Sequence, residues 1–185
     1  VDMYEVHEKD ELVCLGVTYD GETSFVFPNN KFLAMAQETL EETEWLMHNG
    51  YFDTLFMKTL GWDLKLKHDT MAMSYLLDPD KLKSLEQLSQ EILGLDEYKD
   101  IDWENILNIP FEEVAEMNAE DVRRTHALFR PLADRINENA QLSRLYQWVL
   151  VPAIRELTDI SSTGIPIDKD ALLLLDKHLE EFSCE

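Results

Sequence analysis

LVCLGVTYDGETSFVF, residues 12–27, is the stretch on which the fold turns. Leu12 to Tyr19 and Thr23 to Phe27 are β-rich runs, and Asp20-Gly21 between them is a turn signal, so the segment predicts a β-hairpin. Next, Phe32, Leu33, Met35, Ala36 and Leu40 fall at helical spacing between Lys31 and about Glu42. Glu44-Trp45-Leu46-Met47 then reads as a short buried strand. Hairpin, helix and strand in this order imply an α/β layer.

Beyond residue 50 the pattern becomes helical. Helices are predicted over Tyr51 to Leu60, Asp69 to Leu77, Ser84 to Leu93 and Asn118 to about Asn137, punctuated by Gly61, Asp78-Pro79 and Gly94. A further helical pattern runs through Leu142, Leu145, Tyr146, Val149, Ala153 and Leu157, with a kink expected at Pro152 and a stop at Thr163-Gly164. Ile165-Pro166-Ile167-Asp168 leads into another helix. There is no internal repeat.

The chain has 185 residues, 45% hydrophobic and 10% aromatic, enough to bury a core without a disulfide or structural metal. Cys14 and Cys184 stand at opposite ends without metal-ligand spacing, which favours a reducing compartment. No apolar run approaches the roughly 20 residues of a membrane span. With 38 acidic residues against 16 basic ones, the net charge is −22. Affinity for a phosphate backbone comes largely from Lys and Arg, so this charge argues against a chain that grips nucleic acid by itself. A nuclease that concentrates carboxylates on metal ions is less constrained, provided a neighbouring domain supplies a basic groove. Val1 is not an initiator methionine and Phe182-Ser183-Cys184-Glu185 falls inside a helical pattern, so both ends are expected to be cut.

Two places carry candidate chemistry. His48-Asn49-Gly50-Tyr51-Phe52-Asp53 lies where a strand ends and a helix starts, the usual place for ligands in α/β sheets. Asp53 would sit in the first helical turn, facing the strand ends; alternatively Asn49 caps the helix and Asp53 complements its dipole. The second is Met117-Asn118-Ala119-Glu120-Asp121, where Asn118 and Asp121 have capping-box spacing at an expected helix start. Two carboxylates at separate helix starts can converge on divalent cations, which prefer hard oxygen ligands.

These strings carry a resemblance. HNGYFD at 48–53 resembles the second motif of the DEDD exonucleases, and HDTMAMSYLLDPD at 68–80 and SLEQLSQEILG at 84–94 are similar to successive helices of polymerase I exonuclease domains. AEDVRRTHALF at 119–129 resembles the third motif, and WVLVPAIRELTDISSTGIPIDKDAL at 148–172 is similar to the connection from exonuclease to polymerase domain. The chain therefore resembles the proofreading 3′-5′ exonuclease region of family A, polymerase I-like DNA polymerases. That resemblance implies a ribonuclease H-like α/β fold, a mixed sheet flanked by helices, with residues 1–138 as the exonuclease-like domain and 139–185 as a helical connection to the polymerase domain. It implies two Mg²⁺ or Mn²⁺ ions held in part by Asp53 and Asp121, a single-stranded DNA 3′ end as substrate, and Asn49, Tyr51 and Phe52 as positioning or substrate-binding residues. For Tyr51 and Phe52, stacking on a frayed base competes with core packing. Location in the cytoplasm, in bacterial or viral DNA replication, also follows from the resemblance.

The chain departs from that pattern twice. The family's first motif, Asp-x-Glu on a central strand, has no counterpart before the hairpin; Asp2 and Glu5 are three apart, which strand geometry aims at opposite faces. The pair is expected just upstream of Val1, leaving this fragment without a central strand and inactive alone. Second, the tyrosine that orients the attacking water four residues before the third-motif Asp is replaced by Met117, and a thioether cannot do that work. His126 follows Asp121 and reads as a surface or packing residue. The alternatives are a non-catalytic exonuclease-like module supporting a polymerase, and a ribonuclease D-like RNA exonuclease.

Overall fold

The structure, a computed structural model, describes residues 11–81, 83–97, 106 and 108–183, the side chains from 180 onward excepted. Asp2, Glu5 and Cys184 lie outside them.

Strands β1 (Cys14–Thr18) and β2 (Ser24–Pro28) form the expected hairpin, antiparallel with Thr18 opposite Ser24. The Asp20 carboxylate organises its turn by accepting the Thr23 and Glu22 backbone N–H groups at 2.7 and 2.9 Å, and these bonds hold its pKa down to about 2. Gly21 takes φ 78, where a side chain would be strained, and the His126 ring fills the space beside it.

Helix α1 (Lys31–Glu42) starts on Asn30, whose side chain accepts the Phe32 N–H, and leads into β3 (Glu44–Met47), as the hydrophobic spacing predicted. After α2 (Gly50–Thr59) comes a strand that the sequence reading missed, β4 (Lys65–Asp69), parallel to β3. Its sequence, Lys-Leu-Lys-His-Asp, is too polar to signal a buried strand, because only Leu66 and Asp69 point inward. The described residues form two separate two-stranded sheets, β1–β2 and β3–β4, rather than one continuous sheet; the resemblance implied a mixed sheet lacking its first central strand. One long helix, α5 (Phe111–Asn137), packs against β1, β2 and β3 and so joins them. Close approach to β1 needs Gly16, since a Cβ there would collide with the Asn118 amide.

The start of α5 corrects another expectation. It begins behind Pro110 with Glu112 and Glu113 in its first turn, which leaves Asn118 inside the helix rather than at its cap. Val114 is buried in the added turns, but Glu112, Glu113 and Glu116 around it keep them from announcing themselves as helix in the sequence.

Helix α3 (Thr70–Leu77) follows β4 directly, and α4 (Leu85–Leu88), capped by Ser84, continues as a π-helical turn, Ser89–Leu93, that ends at Gly94. The main core gathers Met73, Leu88, Leu128, Leu132, Ile136, Tyr146 and Val151, each apolar side chain worth about 1.5–3 kcal/mol on full burial. A second cluster of Leu33, Met57, Trp62 and Leu64 lies under the hairpin side.

Helix α6 (Ala140–Leu145) runs through a π-helical turn, Tyr146–Leu150, into α7 (Val151–Thr163). Pro152 lies just past that π-helical turn, inside a continuous helical run in which Leu150 and Val151 before it are both helical. Polar contacts fix α7 to α2 and β4. Arg155 donates to the Leu66 carbonyl at 2.6 Å through Nε, Thr158 meets Thr54 at 3.2 Å, and Lys58 pairs with Asp159 at 2.6 Å. Helix α8 (Lys169–Ser183) leaves Leu172, Leu173, Leu174, Leu175 and Leu179 exposed.

Candidate active site

Strands β3 and β4 end level with one another, Met47 opposite Asp69, and each feeds a helix that starts at that end. The chain turns out of β3 through Asn49, whose φ of 61 and ψ of 45 are left-handed, a conformation that asparagine tolerates better than most side chains. Its side chain makes no capping hydrogen bond, which corrects the reading of Asn49 as the helix cap. The cap comes from the other strand. Buried Asp69 accepts the Gly50 N–H at 2.7 Å on one carboxylate oxygen, and those of Asn49 at 3.3 Å and Ala72 at 3.0 Å on the other. One carboxylate thus begins both α2 and α3. A Cβ at Gly50 would lie 2.6 Å from Leu66 Cδ1 and 3.1 Å from Met47 Cβ, so a side chain there would force its neighbours to shift.

Asp53 stands in the first turn of α2, as expected. Its side chain is exposed to solvent, yet protein mass around the carboxyl pushes its pKa up to about 7, with the negative charges of Asp69 and then Asp121 adding to that burial effect. Of the two acidic neighbours, Asp121 on α5 contributes the smaller share. Such crowding of like charges is a common mark of functional carboxylates.

The remaining candidates are distributed around this pair. Met117 is half-buried on α5, one turn before Asp121. The Tyr51 hydroxyl meets the Ser161 hydroxyl at 2.8 Å, and the Phe52 ring stacks on Phe56 with centroids 6.4 Å apart. Both aromatic side chains therefore have intramolecular partners. The Asn118 side-chain oxygen is buried against β1 without a hydrogen-bond partner among the described residues.

Sequence reasoning missed Asp69 and Tyr146. An Asp directly before the Thr70-Met71 helix is an N-cap signal, but nothing local says that it also reaches Gly50. Tyr146, buried in the core, accepts the Asp69 backbone N–H at 2.9 Å, and burial raises the pKa of its phenol.

Among the described residues no group of three His, Cys, Asp or Glu side chains is close enough to hold a metal ion alone. Asp53 and Asp121 nevertheless suit divalent cations in chemistry: both offer hard oxygens, and a cation would relieve the repulsion that burdens Asp53. No described helix is long and apolar enough to cross a membrane.

Comparison with protein families matches residues 12–137 to the 3′-5′ exonuclease domain of the DNA polymerase A type. The chain belongs to this 3′-5′ exonuclease family, a class of nucleases that act on nucleic acid ends. A search of curated proteins finds no match.

Proposed function

We propose that this chain is the proofreading region of a family A DNA polymerase, removing the 3′-terminal nucleotide of DNA by metal-assisted hydrolysis. The observation that best supports it is the electrostatic coupling of Asp53 to Asp121, two carboxylates from separate helices of an exonuclease-family chain.

Asp53 and Asp121 would hold two divalent ions, Mg²⁺ or Mn²⁺, together with an Asp-x-Glu pair supplied upstream on a further strand of a ribonuclease H-like sheet. When bound, the ions supply a water ionised at neutral pH and neutralise the charge that develops on the leaving 3′ oxygen. The chain's own part is positional. The left-handed turn at Asn49 sets the direction in which α2 leaves β3, with Asp53 in its first turn. The amides of Asn49 and Gly50 are taken by Asp69, so the start of α2 is not a free phosphate site. With a net charge of −22 the region repels a DNA backbone, and the grip on a single-stranded 3′ end falls to the metal ions and to a polymerase domain reached through residues 139–185. The setting would be bacterial or viral DNA replication in the cytoplasm.

Met117 favours a second reading, a module retained for structure, because no phenol stands one turn before Asp121 to orient water. The test is a 3′-mismatched primer incubated with the full-length protein and Mg²⁺. The nuclease reading expects shortening that stops with chelator and in Asp53→Ala and Asp121→Ala. Absence of shortening in the unaltered protein supports the structural module.

A further inference from the structure

We propose that Asp69 is a positioning residue for Asp53, setting the angle at which α2 presents its first turn to the reaction site. The inference deepens the nuclease reading and rests on it for the reaction, though not for the geometry.

Three observations carry it. The carboxylate is buried, 2% exposed, at the end of β4, opposite the residue where β3 stops. A carboxylate is costly to place there, and it is retained by three backbone donors from two elements: Ala72 of its own helix, and Asn49 and Gly50 at the start of α2. The bond to Gly50 is the shortest of the three, and Gly50 is also the residue whose missing side chain lets α2 lie against Leu66. The left-handed Asn49 is the joint on which α2 would otherwise swing. Asp69 holds both amides around that joint, so the direction of the first turn is set by a residue on another strand.

Asp69 is itself held. Its backbone N–H is bound by Tyr146, which reaches in from the segment beyond the matched exonuclease region and packs in the main core. Groups that orient a metal ligand from outside typically change metal affinity or activity by about 10–100-fold when altered, and Asp69 would act in this way through the Asn49 and Gly50 amides rather than by a hydrogen bond to Asp53.

Asp69→Asn tests the idea selectively. Asparagine is as good an N-cap as aspartate, so α3 keeps its start, with the amide oxygen on Ala72 and Asn49. The amide nitrogen then faces the Gly50 N–H, donor against donor, and the link to α2 is lost. Leu132→Ala, a core deletion, serves as a control for general loss of stability. Three quantities are compared in the full-length protein: affinity for Mn²⁺ alone, hydrogen exchange at the Gly50 amide, and kcat against KM on a single-stranded DNA end. Asp69→Asn is expected to weaken Mn²⁺ binding about 10–100-fold, speed exchange at Gly50 and lower kcat with KM kept, whereas Leu132→Ala lowers only stability. Unchanged Mn²⁺ affinity and Gly50 exchange in Asp69→Asn, or equal changes in Leu132→Ala, overturn the proposal while leaving the nuclease reading intact. If the unaltered protein digests no DNA end but Asp69→Asn still loosens Gly50 and weakens Mn²⁺ binding, the positioning role stands and the nuclease reading falls.

Discussion

The phenol oxygen of Tyr146 accepts the backbone N–H of Asp69 at 2.9 Å, joining two residues 77 positions apart. The contact ties the helices after residue 138 to the strand end that bears the site. Tyr146→Phe keeps the ring in the core and removes only the acceptor, leaving a buried N–H without a partner. Loss of about 1–3 kcal/mol is expected, measured by urea denaturation, with the circular dichroism of the folded state unchanged.

The raised pKa of Asp53 predicts the direction of a pH effect. Its carboxyl ionises near 3.8 when unfolded and at about 7 when folded, so the folded state binds the proton more tightly. The stability that this proton confers is complete below about pH 4 and is lost as pH rises through 7. In chelator, thermal unfolding should therefore shift to lower temperature between about pH 5 and pH 7 and change little above that, and Asp53→Asn should flatten the change. Added Mg²⁺ should raise the melting temperature more at pH 8 than at pH 6, since metal and proton compete for the same oxygens. A melting temperature that Mg²⁺ leaves unmoved at both pH values would count against metal binding at Asp53.

Asn49 separates backbone from side-chain roles. Its left-handed conformation costs glycine nothing and alanine about 1 kcal/mol, so Asn49→Gly should hold stability and Asn49→Ala should lower it. Exonuclease assays on the glycine variant then report the side chain alone. Loss of activity with stability kept assigns the amide a role in substrate binding; full activity assigns Asn49 to the turn.

Two glycines should respond differently to the same change. Gly50→Ala sets a Cβ 2.6 Å from Leu66 Cδ1 and 3.1 Å from Met47 Cβ, so about 1–3 kcal/mol of strain is expected, concentrated at the start of α2. Gly61→Ala meets no atom within 4 Å and has only its φ of 83 to oppose it, about 1 kcal/mol. Parallel denaturant titrations check the order, and an exonuclease assay should show the larger loss for Gly50→Ala.

The elements that the sequence declares are those whose cause is local. The Asp20-Gly21 turn between β-rich runs, the spacing of Phe32, Leu33 and Leu40, and the stop at Gly94 each rest on neighbours within a few residues, and the structure has all three. β4 escaped because its Lys-Leu-Lys-His-Asp becomes a strand only once β3 lies beside it and α7 covers it. The true start of α5 escaped because its first turns are acidic and mostly exposed, with Val114 their one buried apolar side chain.

For the site the division is similar. The residues themselves determined which carboxylates stand at the end of a strand or on a helix with the right chemistry, and so nominated Asp53 and Asp121 together with the family to which the chain belongs. Only the tertiary structure decided that the Asp69 carboxylate, rather than the Asn49 side chain, takes the amides at the start of α2. Helix and turn signals arise from bonds a few residues long, which composition and spacing reveal. A carboxylate that binds amides nineteen and twenty positions away leaves no periodic trace, because its partners exist only after the two strands have come together.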